Sequence, residues 1–287
     1  MANNKLMAGF GRTNVTPPMG IDVRGYFVVR KADGVLDELE ANALALRLGE
    51  KTVLFISVDT CGINIKLCAE IKEIITQKTG VPAGNVFLHG THTHTGPTLN
   101  DGASRCEVDE LIKNYTESLK HKIADAALLA IQDLKPAKMG WALSKAPNIA
   151  FIRRFRMKDG SIKTNPGVNN PDIVAPIGEV DERVNVLRFT RENADDIVLA
   201  NFGDHPDTVG GNKISGDWPG FTRRIFEKAI DGTKCIFFNG AQGDVNHVNV
   251  HPTNGDFTQR CEALPYRPPR SNRYRPLAEA SPRVRGI

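Results

Sequence analysis

The chain of 287 residues is long enough for one large domain or two small ones, and a hydrophobic content of 40% is ordinary for a globular protein with a buried core. Its net charge of +4 is concentrated near the C-terminal end, where residues 260–287 hold seven arginines and two glutamates (+5), which leaves about −1 for the preceding residues. The body of the chain therefore lacks the basic surface of a polyanion binder, and no nucleic-acid partner is predicted.

The cysteines and the first residues of the chain indicate its compartment. Five cysteines are an odd number and form no CxxC pair, which argues against a thiolate zinc cluster and against a disulfide framework. The N-terminal residues contain no apolar segment of the signal-peptide kind, and no apolar run reaches the length of a membrane span. The sequence therefore predicts a cytoplasmic chain without a transmembrane segment.

The first predicted elements form a strand, helix, strand unit. Residues 39–48 and 51–59 predict a hairpin, and the second of its strands is the nearly continuous apolar run of a buried central strand. Asp59 closes that run and has two interpretations, either a functional group at the carboxyl end of a strand or the cap of the following helix. Residues 63–79 have the apolar spacing of a helix that ends at Gly80 and leads to the next strand.

Three histidines within six residues, His89, His92 and His94, follow the apolar start of that next strand. If residues 86–94 continue as a strand, side chains alternate between its faces, so His92 and His94 point one way and His89 points the other. Two imidazoles on one pocket wall could supply ligands to zinc. The alternative is a set of hydrogen-bonded histidines at a strand end, and only a partner elsewhere in the chain can decide.

The middle of the chain predicts one long helix. Residues 108–134 have an amphipathic helical pattern that stops before Pro136. His121 lies among the charged positions of this helix and is expected to be solvated. Residues 138–143 then fit a strand.

An arginine-rich stretch and a polar loop come next. Residues 148–160 place Arg153, Arg154 and Arg156 beside aromatic residues before an Asp-Gly turn. One of these arginines could hold a carbonyl or an anion, and surface charge is the alternative. Residues 161–181 are rich in Pro, Asn and Gly and predict a long surface loop of the kind that often walls a site.

A partner for His92 is found in the second half of the chain. Residues 184–190 and 197–202 predict two strands, and the second of them leads to His205. Pro206 restrains the backbone there and a carboxylate stands on either side, which is a suitable setting for a zinc ligand with hydrogen-bonded support. Together, His92 and His205 favour the zinc interpretation.

The last predicted elements lead to further polar residues. Residues 210–220 are too rich in glycine for regular structure and enter a helix over residues 221–230. A strand over residues 234–239 opens into a polar segment in which Asn246 could donate a hydrogen bond. His247 in the same segment could act as a proton carrier or a ligand.

Three motifs in this order resemble those of the neutral/alkaline non-lysosomal ceramidase family. They are Gly90-Thr-His-Thr-His-Thr-Gly-Pro97, His205 together with Ile214-Ser-Gly-Asp-Trp-Pro-Gly220, and the segment from Gly240 to Asn246. The likeness runs from about Phe10 to Asp256. It agrees with an α/β fold of mixed β-sheet layers flanked by helices, for which an α/β/β/α sandwich is one arrangement.

The resemblance also implies roles for the site residues. His92 and His205 correspond to zinc ligands, His94 lies beside the reacting water as a proton carrier, and Arg153 contacts the substrate side. Arg153 or Asn246 would hold the developing oxyanion. The implied activity is zinc-dependent hydrolysis of a small-molecule or lipid N-acyl amide such as an N-acyl sphingosine.

Departures from the family pattern bear on the expected activity. Asn246 stands where the family has a serine beside the scissile amide, which argues against ceramide itself as the substrate. The family completes its zinc site with a Glu and a Tyr from further along the chain, where this sequence has an Arg/Pro-rich segment. The family is also largely secreted or membrane-associated, in contrast to the cytoplasmic prediction.

We therefore divide the chain into a ceramidase-like catalytic domain over residues 1–258 and an Arg/Pro-rich segment over residues 259–287. The second segment is predicted to be disordered or to reflect a shifted reading frame. The expected function is an amide hydrolase impaired by an incomplete metal site. The alternative is a catalytically silent scaffold or binding protein of the same fold.

Overall fold

The structure, a computed structural model, describes residues 5–103 and 106–251. The predicted division at residue 258 and the Arg/Pro-rich segment that follows lie outside the described residues. The helices are α1 (Ile65–Thr79), α2 (Glu110–Gln132) and α3 (Asp217–Ala229), with a 3-10 turn over Ala83–Asn85. The strands in chain order are β1 (Met7–Asn14), β2 (Asp22–Val23), β3 (Arg30–Lys31), β4 (Gly34–Val35), β5 (Glu40–Leu48), β6 (Lys51–Val58), β7 (Val86–Gly90), β8 (Lys135–Lys145), β9 (Phe151–Ile152), β10 (Arg154–Met157), β11 (Ile162–Thr164), β12 (Ile173–Pro176), β13 (Arg183–Arg191), β14 (Asp196–Phe202), β15 (Lys213–Ile214), β16 (Thr233–Asn239) and β17 (Val245–Asn246).

The main sheet has the strand order β16-β14-β13-β8-β1-β5-β6-β7. Its two halves are joined where β1 pairs with the first residues of β8, at Met7 with Pro136 and Ala8 with Lys135. At this narrow junction the sheet folds over, so that β16 and β14 contact β5, β6 and β1 from the opposite half. The carboxyl ends of two parallel strand pairs, β6 with β7 and β14 with β16, are thereby brought into one region.

The two halves enclose an apolar layer and carry helices on their outer faces. The layer between them consists of Ala8, Leu44, Phe189, Ile197 and Ile236, all fully buried. Helices α1 and α2 cover the outer face of one half, and α3 packs against β16 of the other. The predicted mixed α/β fold is confirmed, and its layers follow the order α/β/β/α.

Strand β1 has no apolar run in the sequence and was not among the predicted strands. Its glycines explain why it forms where it does. A Cβ atom at Gly9 would lie 2.1 Å from the Ala130 carbonyl oxygen, and one at Gly11 would lie 2.1 Å from that of Ala126. The two glycines therefore allow α2 to lie directly on the backbone of β1, which larger side chains would prevent.

One predicted helix boundary and one predicted loop are wrong. Helix α3 begins at Asp217 rather than at residue 221, so it includes part of the segment expected to be irregular. The expected long loop over residues 161–181 contains β11 and β12, which pair on either side of β10 in a small three-stranded sheet. Proline and asparagine residues in that segment form the turns between short strands instead of a continuous loop.

Asp59 is buried and does not cap the following helix. The cap of α1 is Asn64, whose side chain accepts a hydrogen bond from the Leu67 amide at 2.9 Å. Asp59 instead forms a buried ion pair with Arg223 of α3, with Nη1 to Oδ1 at 3.0 Å and Nη2 to Oδ2 at 2.5 Å. Glu40 lies 3.1 Å from the same guanidinium.

We expect Arg223→Met to destabilise the protein by about 3–5 kcal/mol, because it leaves the buried Asp59 carboxylate without its cation. Urea unfolding monitored by circular dichroism measures the change. Lys228→Met, at an exposed position of the same helix, is the matched control and should change stability by less than about 0.5 kcal/mol. Equal effects of the two substitutions would contradict the importance of this ion pair.

Candidate active site

The histidine segment leaves the sheet earlier than predicted. Strand β7 ends at Gly90, and His92 has a positive φ of 74°, so residues 86–94 are not one strand. The chain turns back on the end of β6, where the Thr91 amide donates to the Val58 carbonyl and the His92 amide donates to the Thr60 carbonyl, both at 2.9 Å. Strand alternation therefore does not explain where these histidines point.

Three imidazoles nevertheless converge at this place. The ring centroids of His92 and His94 lie 5.1 Å apart, and each lies 4.8 Å from the ring of His205. The Nε2 atoms of His94 and His205 are 3.1 Å apart. His205 reaches the cluster because it follows β14, whose carboxyl end lies beside the end of β16. His89 takes no part, since its ring stacks on Phe238 at 4.8 Å.

Backbone carbonyls set the tautomers of two of these rings. His92 Nδ1 lies 2.6 Å from the Cys61 carbonyl oxygen, and His205 Nδ1 lies 3.1 Å from that of Gln242. A carbonyl can only accept, so each Nδ1 carries the proton and each Nε2 keeps its lone pair. Burial and the neighbouring imidazoles lower the pKa of His92 to about 4, and burial also lowers the pKa of His205. Both rings are neutral at pH 7, which is the form that binds a metal.

A carboxylate lies beside the third ring, that of His94. Its Nδ1 lies 3.5 Å from Asp207 Oδ1, and the Tyr26 hydroxyl donates to the same carboxylate. Burial, together with this hydrogen bond, raises the pKa of Tyr26 to about 12, so the phenol stays protonated. Arg30 donates to the His94 carbonyl at 2.6 Å and lies over the Tyr26 ring at 4.0 Å.

The loop that carries His205 is clamped from α3. Asp217, the first residue of the helix, has a positive φ of 53°. Its carboxylate accepts from the amides of Thr208 at 3.0 Å and Val209 at 2.9 Å. Asn239 at the end of β16 donates to both the Thr91 carbonyl at 3.2 Å and the Asp204 carbonyl at 2.9 Å, which ties the two histidine loops together.

The three imidazoles open into a cavity of about 470 Å³. Its lining includes residues 24–29, Arg153 and Asn165. Gly25 touches the site directly, because a Cβ atom there would lie 2.6 Å from His94. The volume and the mixture of apolar and polar lining residues are typical of a small-ligand pocket.

The two other predicted catalytic residues lie on the same side of the protein in different settings. The Arg153 guanidinium lines the cavity and donates to the Gly243 carbonyl through Nη2 at 2.6 Å and Nε at 3.1 Å. Asn246 is buried, and its Nδ2 donates to Asn165 Oδ1 at 2.9 Å. Among the described residues that line the cavity, Asn165 is present and Asn246 is not.

The sequence interpretation missed three residues of this site, Tyr26, Cys61 and Asn165, none of which had a signal in the sequence. Asp207 was predicted, as one of the two carboxylates beside His205. Cys61, His92 and His94 offer ligand atoms that all lie within 4.8 Å of one another. Burial raises the pKa of the Cys61 thiol, which disfavours the thiolate form that binds a metal.

The protein is an α/β/β/α sandwich whose clustered imidazoles lie at the carboxyl ends of its strands. Residues 6–263 match the family described as neutral/alkaline non-lysosomal ceramidase, N-terminal. The chain therefore belongs to the neutral/alkaline non-lysosomal ceramidase family, as the three sequence motifs predicted.

Individual relatives agree with this assignment. Neutral ceramidases B and A of Dictyostelium discoideum are 24% identical over 214 and 216 residues, which is 69% of this chain and 28% and 29% of theirs. The fold is similar to the crystal structure of neutral ceramidase from Pseudomonas aeruginosa, with a TM-score of 0.70 and 20% identity over 90% of this chain and 42% of that one. A ceramidase complexed with C2 gives a TM-score of 0.68 and 18% identity over 85% of this chain and 39% of that chain. The chain thus spans less than a third of the length of the two Dictyostelium discoideum proteins.

The sequence predicted no transmembrane segment. Within residues 5–103 and 106–251, the structure contains no helix that is both long and apolar enough to cross a membrane.

The contact of Gly25 with His94 predicts that Gly25→Ala disturbs the site. Gly25 has φ of 124° and Gly20 has φ of 81°, but a Cβ atom at Gly20 meets nothing within 4 Å. Gly20→Ala is therefore a control that imposes backbone strain without the clash. We expect Gly25→Ala to cost roughly 1–3 kcal/mol more in thermal unfolding and to shift the His94 ring resonances. Indistinguishable variants would contradict the close approach of Gly25 to His94.

The buried histidines predict a loss of stability in mild acid. Burial lowers the pKa of His89 to about 4, whereas in the unfolded chain it is about 6.5. The unfolded state therefore gains a proton first, and the contribution to stability is lost as the pH falls from about 6.5 to 4. Urea midpoints at pH 7 and pH 4.5 should differ less in His89→Phe than in the wild type. The exposed His121→Gln should keep the wild-type difference, and an unchanged difference in His89→Phe would contradict the burial argument.

Proposed function

We propose that this chain binds zinc through His92 and His205 and forms part of the active site of a hydrolase for N-acyl sphingosines or related N-acyl amides. The observation that carries the proposal is the pair of Nδ1 atoms donating to backbone carbonyls. This arrangement directs two neutral Nε2 lone pairs into one cluster and resembles the hydrogen-bonded support of metal ligands in general. The donor set thus suits zinc, which prefers imidazole nitrogen among protein ligands of this kind.

Zinc, when bound, supplies Lewis acidity toward an amide carbonyl and toward water at neutral pH. The protein must then move protons and hold the substrate oxygen. His94 is the proposed proton carrier, because Asp207 Oδ1 lies 3.5 Å from its Nδ1 and its Nε2 faces His205 at 3.1 Å. Transfer of a proton by a positioned imidazole contributes on the order of 10²–10⁴ in rate.

Arg153 is the proposed holder of the substrate carbonyl. The Gly243 carbonyl accepts from two of its nitrogens, which fixes the plane of the guanidinium at the cavity wall. A fixed positive group beside the reacting amide favours the negative charge that develops on its oxygen. Direct donation from Asn246 to that oxygen was predicted from the sequence, but its Nδ2 donates to Asn165 in the structure.

The substrate class rests on the relatives. Several of them are named neutral ceramidases, and one solved structure is a ceramidase complexed with C2. We infer an N-acyl amide for this chain as well, with low turnover because zinc proteins normally use three or four ligands and two imidazoles are proposed here. A cytoplasmic location stays a prediction.

We expect His92→Ala and His205→Ala each to remove most of the zinc that remains after dialysis, measured by metal analysis of the purified full-length chain. His121→Ala, at an exposed position of α2, should retain wild-type zinc. Hydrolysis of a short-chain N-acyl amide by the zinc-loaded wild type should be very low and should disappear in both cluster variants.

Equal zinc content in the wild type and in His92→Ala/His205→Ala would contradict the proposed metal site. A wild type that binds zinc and neither binds nor hydrolyses N-acyl amides would favour the alternative of a catalytically silent scaffold.

A further inference from the structure

Asn165 is the least expected polar residue of the cavity wall. It follows β11 in a left-handed conformation, with φ of 51°. Its amide donates to the Arg153 carbonyl at 2.7 Å, so its backbone is tied to the residue that holds the proposed substrate oxygen. Its side chain is both accessible and part of the cavity lining. A polar side chain fixed in this way is positioned to contact a ligand.

The orientation of the Asn165 carboxamide follows from its neighbours. The Val248 amide donates to Asn246 Oδ1 at 3.0 Å, and a backbone amide cannot accept. The other end of the Asn246 side chain is therefore its NH₂ group, which donates to Asn165 at 2.9 Å. The Asn165 atom in that contact must be Oδ1, because a second NH₂ group there would leave two donors facing each other. The Nδ2 group of Asn165 thus lies at the opposite end of its carboxamide.

Asn246 is held firmly enough to impose this orientation. It is buried, and β17, to which it belongs, pairs with β9 through Asn246 with Phe151 and Val245 with Ile152. Strand β9 leads directly to Arg153, whose amide donates to the Asp244 carbonyl at 2.9 Å. Asn246, Asn165 and Arg153 therefore form one hydrogen-bonded unit, and only the last two line the cavity.

We propose that Asn165 is a substrate-contact residue whose Nδ2 donates a hydrogen bond to a neutral oxygen of the N-acyl amide, and that Asn246 positions it. The proposal rests on the proposed function and specifies which oxygen acceptors this site selects. The acceptor is either the amide carbonyl or a hydroxyl group of the amine part, both of which a carboxamide NH₂ group can bind. Asn246 then acts through Asn165 and not by touching the substrate.

The test uses variants that keep the backbone unstrained. Asn165→Gly removes the carboxamide and suits the positive φ, so it should fold as the wild type does. Asn169→Gly is the matched control, because Asn169 has φ of 54° in the same segment and is not among the described residues that line the cavity. Thermal unfolding of both variants checks the fold.

Two water-soluble probes are titrated into the zinc-loaded full-length chain. N-butanoylethanolamine has an amide carbonyl and a hydroxyl, and N-butylbutanamide has the carbonyl alone. We expect the side-chain NH₂ resonances of Asn165, assigned by their loss in Asn165→Gly, to shift with N-butanoylethanolamine while those of Asn169 do not. Asn165→Gly should raise the Kd roughly three- to tenfold, the range of one neutral hydrogen bond, and Asn169→Gly should leave it unchanged. A shift with N-butylbutanamide as well identifies the carbonyl as the acceptor.

Asn246→Ala tests the positioning step. If Asn246 acts through Asn165, Asn246→Ala should weaken binding by no more than Asn165→Gly does, and the double variant should be no weaker than Asn165→Gly alone. A merely structural role for Asn246 would give additive losses and lower unfolding temperatures without moving the Asn165 resonances. Additive losses would therefore overturn the positioning role.

The outcomes separate this inference from the proposed function. If the probes bind the wild type but leave the Asn165 resonances in place and bind Asn165→Gly equally well, the inference is wrong and the proposed function stands. If neither probe binds or is hydrolysed by the wild type while zinc is retained, the proposed substrate class is wrong, and the contact of Asn165 with an N-acyl amide is wrong with it.

Discussion

The buried ion pair between Arg223 and Asp59 is the constraint on which the site depends. Asp59 directly follows β6 and also accepts from the Thr91 hydroxyl at 3.2 Å and the Glu40 amide at 2.9 Å. One carboxylate thus joins the end of β6, the start of the histidine segment and α3 from the opposite half of the sheet. A buried carboxylate can have these partners only while the guanidinium compensates its charge. Because α3 begins at Asp217, which clamps the loop of His205, the same ion pair fixes both halves of the imidazole cluster.

The sequence predicted the elements of this fold better than their arrangement. Long apolar runs predicted β6 and β16, and amphipathic spacing predicted the ends of α1 and α2 to within a few residues. Strand β1 could not be predicted, because it carries glycines where an apolar pattern was expected. These glycines allow the close approach of α2. The folding over of the sheet depends on a junction of two residue pairs between β1 and β8, and such a contact leaves no periodicity in the sequence.

The candidate site was predicted by residue type, although the structural reason was wrong. Strand alternation was expected to place His92 and His94 on one face, but β7 ends at Gly90 and a residue with positive φ makes the turn. Hydrogen bonds replace the strand, since the hydroxyls of Thr93 and Thr95 donate to the Ser215 carbonyl at 2.7 and 3.0 Å. In sequence these threonines look like the alternate positions of a strand. Their acceptor lies some 120 residues further on, and single-sequence patterns do not report such contacts.

Electrostatics indicates why three histidines would be gathered in this way. Each ring is largely removed from water, and protonating one places its charge within 5.1 Å of two others and near Arg153. Desolvation and repulsion therefore keep His92 and His205 neutral, and their Nδ1 protons are committed to backbone carbonyls. The Nε2 lone pairs of both rings are left for other partners at the cavity, and the Nε2 atom of His94 lies 3.1 Å from that of His205. The burial that suppresses protonation thus keeps His92 and His205 in the neutral form that a metal requires.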